Sequence, residues 1–95
     1  SPNHIIFVSV VSAWEMSLKL RTRKLRLKQP LAAYFRDFDF KLLAVELEHV
    51  LTFHQLPLYH KDPFDRMLIA QATVEECTLI TDDKNIKKYK IPTLA

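Results

Sequence analysis

The chain contains no glycine. That absence removes whole classes of fold and function at once. A Walker A loop and a GxGxxG loop both need glycine where backbone approaches phosphate, so mononucleotide and dinucleotide folds of those kinds are excluded. Tight turns must instead rely on Pro, Asn and Asp. The chain has 95 residues, 48% of them apolar and 26% charged, the balance of one small globular domain over residues 1–95. The longest apolar run near the N-terminus, Ile5 to Val11, is broken by Ser9, is too short for a membrane span and lacks signal-peptide features. Cys77 is the single cysteine. An internal disulfide and a cysteine zinc site are therefore out, which fits a reducing compartment such as the cytoplasm. The net charge of +3 permits a nucleic-acid partner without arguing for one.

Patterning divides the chain into alternating elements. His-Ile-Ile-Phe-Val-Ser-Val at 4–10 reads as a strand buried on both faces. Ser9 or Ser12 is positioned to cap a helix over 12–22, with Ala13, Met16 and Leu20 on one side. RTRKLRLK at 21–28 is a basic connector, and Pro30 opens a helix over roughly 30–37. A second strand is expected over 39–45, then a short helix over 46–54 with Leu47, Val50 and Leu51 inward. Asp62-Pro63 is a strong helix start, an Asp cap with Pro at the first helical position. That helix is expected to reach about Glu76, with Phe64, Met67, Leu68 and Ala72 at helical spacing. A third strand over 77–81, a short helix over 84–89 and an edge strand over 91–94 complete the order. Such alternation argues for a parallel α/β sheet flanked by helices.

In parallel α/β sheets chemistry gathers where strands end and helices begin. Glu15 falls in the first turn of the expected first long helix, Asp62 and Asp65 at the start of the long helix, and Asp82 and Asp83 directly after the third strand. Carboxylates brought together there would repel by roughly 4 kcal/mol at 4 Å in an intermediate dielectric. A divalent cation such as Mg²⁺ relieves that repulsion and carries waters to a phosphate. Each acid also has a plain structural role. Asp62 and Asp83 suit helix caps, Asp65 complements a helix dipole, and Glu15 can pair with Lys19.

Three segments together resemble PIN-domain ribonucleases of the VapC type, the toxin half of type II toxin–antitoxin pairs. Val8-Ser9-Val10-Val11-Ser12-Ala13-Trp14-Glu15 with Lys19 is similar to the family's "VSxxSxWE…K" segment. Leu56 to Ala72, LPLYHKDPFDRMLIAQA, is close to its "LPxxHxDPFDRxLIAQA" signature. Leu79-Ile80-Thr81-Asp82-Asp83 matches its "LxTxD" strand end. The three occur in the family's order and span nearly the whole chain.

The resemblance implies a PIN-like parallel sheet and Mg²⁺- or Mn²⁺-dependent cleavage of an RNA substrate. Carried over by position, the metal-binding and catalytic acids are Glu15, Asp65 and Asp83. Thr81 matches a supporting position, with Asp62 and Asp82 beside the site; Asp62 and Arg66 are expected to act as a cap and in an ion pair. The implied partners are RNA, an antitoxin protein and a second copy in a homodimer or swapped assembly. Two departures stand out. Arg23 replaces the family's glycine before "KLxL", so the connector is expected to turn differently. Nothing matches the family's opening strand, which carries its first metal-binding Asp. The expected fold is therefore an N-terminally truncated PIN-like domain whose central strand is absent or supplied by swapping or a partner. Three acids hold a metal less tightly than four, so weak or no catalysis by this chain alone is expected.

Several other residues have more than one reading. Arg21, Arg23, Lys24 and Arg26 could contact RNA phosphates or simply be solvated. Trp14 reads as packing in a core or interface, and Phe35, Phe38, Phe40 and Tyr34 as core, with part of that group facing a partner helix as the alternative. His54 and His60 could shuttle protons, though structural roles suit them better, and His4 and His49 carry no case. A catalytically silent fragment that binds an antitoxin helix or itself is the alternative function. A phosphoryl-accepting receiver domain built on Asp82-Asp83 is disfavoured, because those acids follow a late strand.

Overall fold

The fold is that of a computed structural model covering residues 5–36, 39–81 and 83–94. The chain forms two compact units, Ser1–Ala44 and Val45–Ala95.

The first unit opens with β1, Phe7–Ser9, which runs directly into α1, Val10–Arg21. Ser9 is the cap: its extended backbone breaks the helix and its hydroxyl accepts the Val11 N–H at 3.0 Å. The helix therefore starts two residues earlier than the pattern predicts, and Glu15 falls in its second turn rather than its first. α2, Leu31–Arg36, follows Pro30, and β2, Lys41–Leu43, pairs with β1 in parallel, Phe7 opposite Lys41 and Ser9 opposite Leu43. Phe35 and Phe40 meet edge to face at 6.2 Å. The expected core residue Phe38 lies outside the described residues.

β1 is shorter than expected and is not covered on both faces. Ile5, Ile6 and Phe7 are exposed, as is Trp14 at 60%. An apolar run shows that burial would be favourable; it does not supply the covering surface.

Arg23 also corrects an expectation. Its φ is 59°, the left-handed conformation that glycine favours, so the connector makes the turn a glycine would make. The Lys24 N–H returns to the Lys19 carbonyl at 2.9 Å and the Arg23 N–H to Leu20 at 3.3 Å. These two bonds close α1 in a Schellman motif.

The second unit contains α3, Leu47–Gln55; α4, Pro63–Glu75; β3, Leu79–Ile80; a 3₁₀ turn, Ile86–Lys88; and β4, Thr93–Leu94. Asp62 caps α4, accepting the Phe64 N–H at 2.9 Å, with Pro63 at the first helical position as expected. Glu76, at φ 56°, ends the helix in the left-handed region. β3 and β4 pair in parallel, Leu79 opposite Thr93. Among the described residues each sheet has two strands, and both pairings are parallel, in keeping with the expected α/β class.

The core of this unit is Ile69, Ile86 and Tyr89, with Leu56, Leu79 and Ile91 against it. On α4 the fully buried positions are Ile69, Ala70 and Gln71, while Phe64, Met67 and Leu68 are half-buried. Leu47, Val50 and Leu51 of α3 face outward, the reverse of the expected orientation. His49 is the helix's buried residue instead. Its Nδ1 accepts the Glu46 N–H at 2.9 Å and its Nε2 lies 2.8 Å from the Glu75 carboxylate of α4. Arg66 makes no ion pair among the described residues. Its guanidinium donates to the Phe53 and Leu56 carbonyls, both at 3.2 Å, and sits 4.5 Å over the Phe53 ring. It thus satisfies the carbonyl end of α3, where a helix dipole favours a cation. Among the described residues no helix is long and apolar enough to cross a membrane.

Candidate functional site

In the second unit the Asp62 cap and Pro63 fix where α4 begins, and that fixes Asp65 in the first helical turn. Asp83 lies just past the end of β3. Its backbone N–H donates to Thr81 Oγ1 at 3.1 Å. One carboxylate oxygen, Oδ1, accepts the N–H groups of Asn85 at 2.8 Å and Ile86 at 3.2 Å. Asp83 thus closes the turn leading into the 3₁₀ segment, whose cap position is Asn85, and this leaves Oδ2 for other partners. The Ile86 N–H is the largest influence on the Asp83 carboxyl; burial opposes it, and the His60 ring and the Asn85 N–H add to it, so that the carboxyl is held below its ordinary value.

His60 joins the two acids. Its Nε2 lies 3.1 Å from Asp65 Oδ2 and 3.2 Å from Asp83 Oδ2. On its other side Nδ1 accepts the Asp62 N–H at 3.0 Å. The His60 backbone N–H donates to the Tyr89 hydroxyl at 3.1 Å, and that hydroxyl donates to the Pro57 carbonyl. One potential ligand atom from each of His60, Asp65 and Asp83 falls within a 4.8 Å group. The side chains are partly exposed, at 12%, 25% and 38% respectively. Two carboxylate oxygens converging on one point, open to solvent, suit a hard divalent cation, which takes oxygen ligands and keeps waters.

The other residues expected at a site are placed as follows. Asp62 caps α4, and Thr81 positions Asp83 through its backbone. Asp82 lies outside the described residues. Glu15, in the first unit, pairs with Lys19 at 3.4 Å across one helical turn. Arg21, Arg23, Lys24 and Arg26 are all exposed, on the last turn of α1 and the connector after it. His60 is the histidine of the family signature, although the sequence favours a structural role for it over one at the site. Tyr89 has no local signal, because its partners are remote in sequence.

The PIN domain family model matches residues 3–92. No curated protein and no solved structure shows a significant match to the chain. A family match over nearly the whole length places the chain in the PIN domain family, and membership points to nuclease chemistry.

Proposed function

We propose that this PIN-domain protein is a divalent-metal-dependent endoribonuclease, the toxin of a type II toxin–antitoxin pair, with Asp65 and Asp83 holding Mg²⁺ or Mn²⁺. The observation that carries the reading is the convergence of Asp65 Oδ2 and Asp83 Oδ2 on His60 Nε2 at 3.1 and 3.2 Å. When bound, the cation supplies a water of lowered pKa and positive charge against the phosphate in its transition state.

The chain's own residues set up that chemistry. The cap on α4 orients Asp65. Thr81 and the Asn85 and Ile86 amides fix Asp83 with one oxygen turned to the site. The Ile86 and Asn85 amides hold the Asp83 carboxyl below its ordinary value, which favours the ionised form a cation needs. The family motif also marks Glu15, in the first unit, as a metal-binding acid. Arg21, Arg23, Lys24 and Arg26 supply phosphate contacts to an RNA substrate.

A second reading is a catalytically silent module that binds an antitoxin or a second copy of itself. The outward row of Leu47, Val50 and Leu51 on α3 favours it, since apolar residues grouped on one exposed helix face mark protein contacts.

The test is cleavage of a labelled RNA by the purified chain with Mn²⁺, with EDTA, and with Asp65→Asn. Cleavage that requires both the metal and Asp65 supports the nuclease reading. A folded chain that leaves RNA intact, yet associates through α3 in a manner abolished by Leu51→Asp, supports the silent module.

A further inference from the structure

We propose that His60 is a positioning residue of this cation site and not one of its ligands: its Nε2–H pairs the Asp65 and Asp83 carboxylates so that one divalent ion meets them already in place. The inference rests on the reading of Asp65 and Asp83 as the cation-holding pair.

The polarity of the hydrogen bonds carries the argument. A neutral imidazole has one N–H and one lone-pair nitrogen. A backbone amide can only donate, so the Asp62 N–H at 3.0 Å assigns the lone pair to Nδ1. The ring proton is then on Nε2, which faces both carboxylates. A metal-bound histidine shows the reverse arrangement: its far nitrogen donates to a carboxylate, a carbonyl or water. For Nε2 to bind a cation here, either the ring would become an imidazolate or the Asp62 amide at the head of α4 would lose its acceptor. Both are costly.

The ring is also held where it is. Tyr89, only 5% exposed, receives the His60 backbone N–H and donates to Pro57, which ties the loop ahead of α4 to the 3₁₀ turn. The bond to His60 does not exhaust the Asp83 carboxylate. Asp83 uses Oδ1 for the Asn85 and Ile86 amides and offers Oδ2 to His60. A carboxylate oxygen has two lone-pair sites, so the bond to His60 leaves room for a cation on the same oxygen. Without the shared N–H donor, two like charges at this separation would move apart. The cation would then have to gather them as it bound.

The experiment is Mn²⁺ binding by the whole chain, followed by calorimetry and by electron spin-echo spectroscopy of the bound ion. Wild type is expected to bind Mn²⁺ with no directly coordinated nitrogen in the spectrum. His60→Ala is expected to bind roughly 10- to 100-fold more weakly, with Mg²⁺ weakened by the same factor as Mn²⁺. His60→Gln, which restores an N–H donor, is expected to recover part of the affinity. A directly bound nitrogen in wild type, or unchanged affinity in His60→Ala, overturns the inference while leaving the cation site intact. Absence of Mn²⁺ binding by folded wild type overturns the cation-site reading and this inference with it. The spin-echo result on wild type decides between ligand and positioning residue even where His60→Ala does not fold.

Discussion

His49 and Glu75 clamp two helices of the second unit together: Nε2 of the fully buried imidazole lies 2.8 Å from the Glu75 carboxylate, and Nδ1 caps the first turn of its own helix by accepting the Glu46 N–H. The same polarity recurs at His60, whose Nδ1 also accepts a backbone amide at a helix start. In both cases a main-chain donor fixes the tautomer, and the far nitrogen is left to hold a carboxylate.

Loss of the His49 ring removes its hydrogen bonds to the Glu46 N–H, the Glu75 carboxylate and, at 3.5 Å, the Gln71 side chain, and opens a void between α3 and α4. His49→Ala is expected to lower unfolding free energy by about 2–3 kcal/mol. Glu75→Gln, at a carboxylate that is 40% exposed, is expected to cost well under half of that. Urea unfolding of the two variants side by side checks both figures.

Arg23 and Glu76 end their helices at φ 59° and 56° in a chain with no glycine to take those positions. A left-handed conformation costs a residue with a Cβ about 1 kcal/mol. Glycine escapes that cost, but its greater freedom in the unfolded chain offsets part of the gain. Arg23→Gly and Glu76→Gly are each expected to stabilise by up to ~0.5–1 kcal/mol, read as a raised melting temperature. Alanine at either position is expected to give no gain.

Asp83 links stability to pH. Its folded carboxyl is held below its ordinary value by the Ile86 N–H first, then by His60 and Asn85. The unfolded state therefore takes up a proton first as pH falls. The contribution is fully present above the unfolded value of about 3.9 and is lost as pH falls through the lower folded value. Asp83→Asn keeps an oxygen for the Asn85 and Ile86 amides but cannot titrate. Its unfolding free energy is expected to fall less steeply than wild type below about pH 4. Equal slopes would show that the carboxylate has no such linkage.

The basic connector is expected to act on RNA through charge alone. Replacing Arg21, Lys24 and Arg26 with alanine should weaken RNA binding. The slope of log affinity against log salt should also shrink, by about 0.7 for each phosphate these side chains neutralise. Binding measured at several salt concentrations gives that slope. An unchanged slope would assign these residues to solvent.

The sequence by itself determined the local decisions. Ser9 and Asp62-Pro63 start their helices because a side-chain oxygen two residues ahead satisfies an amide the helix cannot. The Glu15–Lys19 pair follows from one turn of helical spacing. The order of helices and strands and the family motif were legible for the same reason: each depends on neighbours along the chain. The tertiary structure alone decided which side of a helix is covered and which remote groups meet. Periodicity places Leu47, Val50 and Leu51 on one face of α3, but only packing against α4 shows that His49 is the buried one. His60 finds Asp83 across 23 residues and Tyr89 across 29. No local propensity encodes such meetings. They exist because burying Ile69, Ile86 and Tyr89 in one core draws the loop before α4 against the turn after β3.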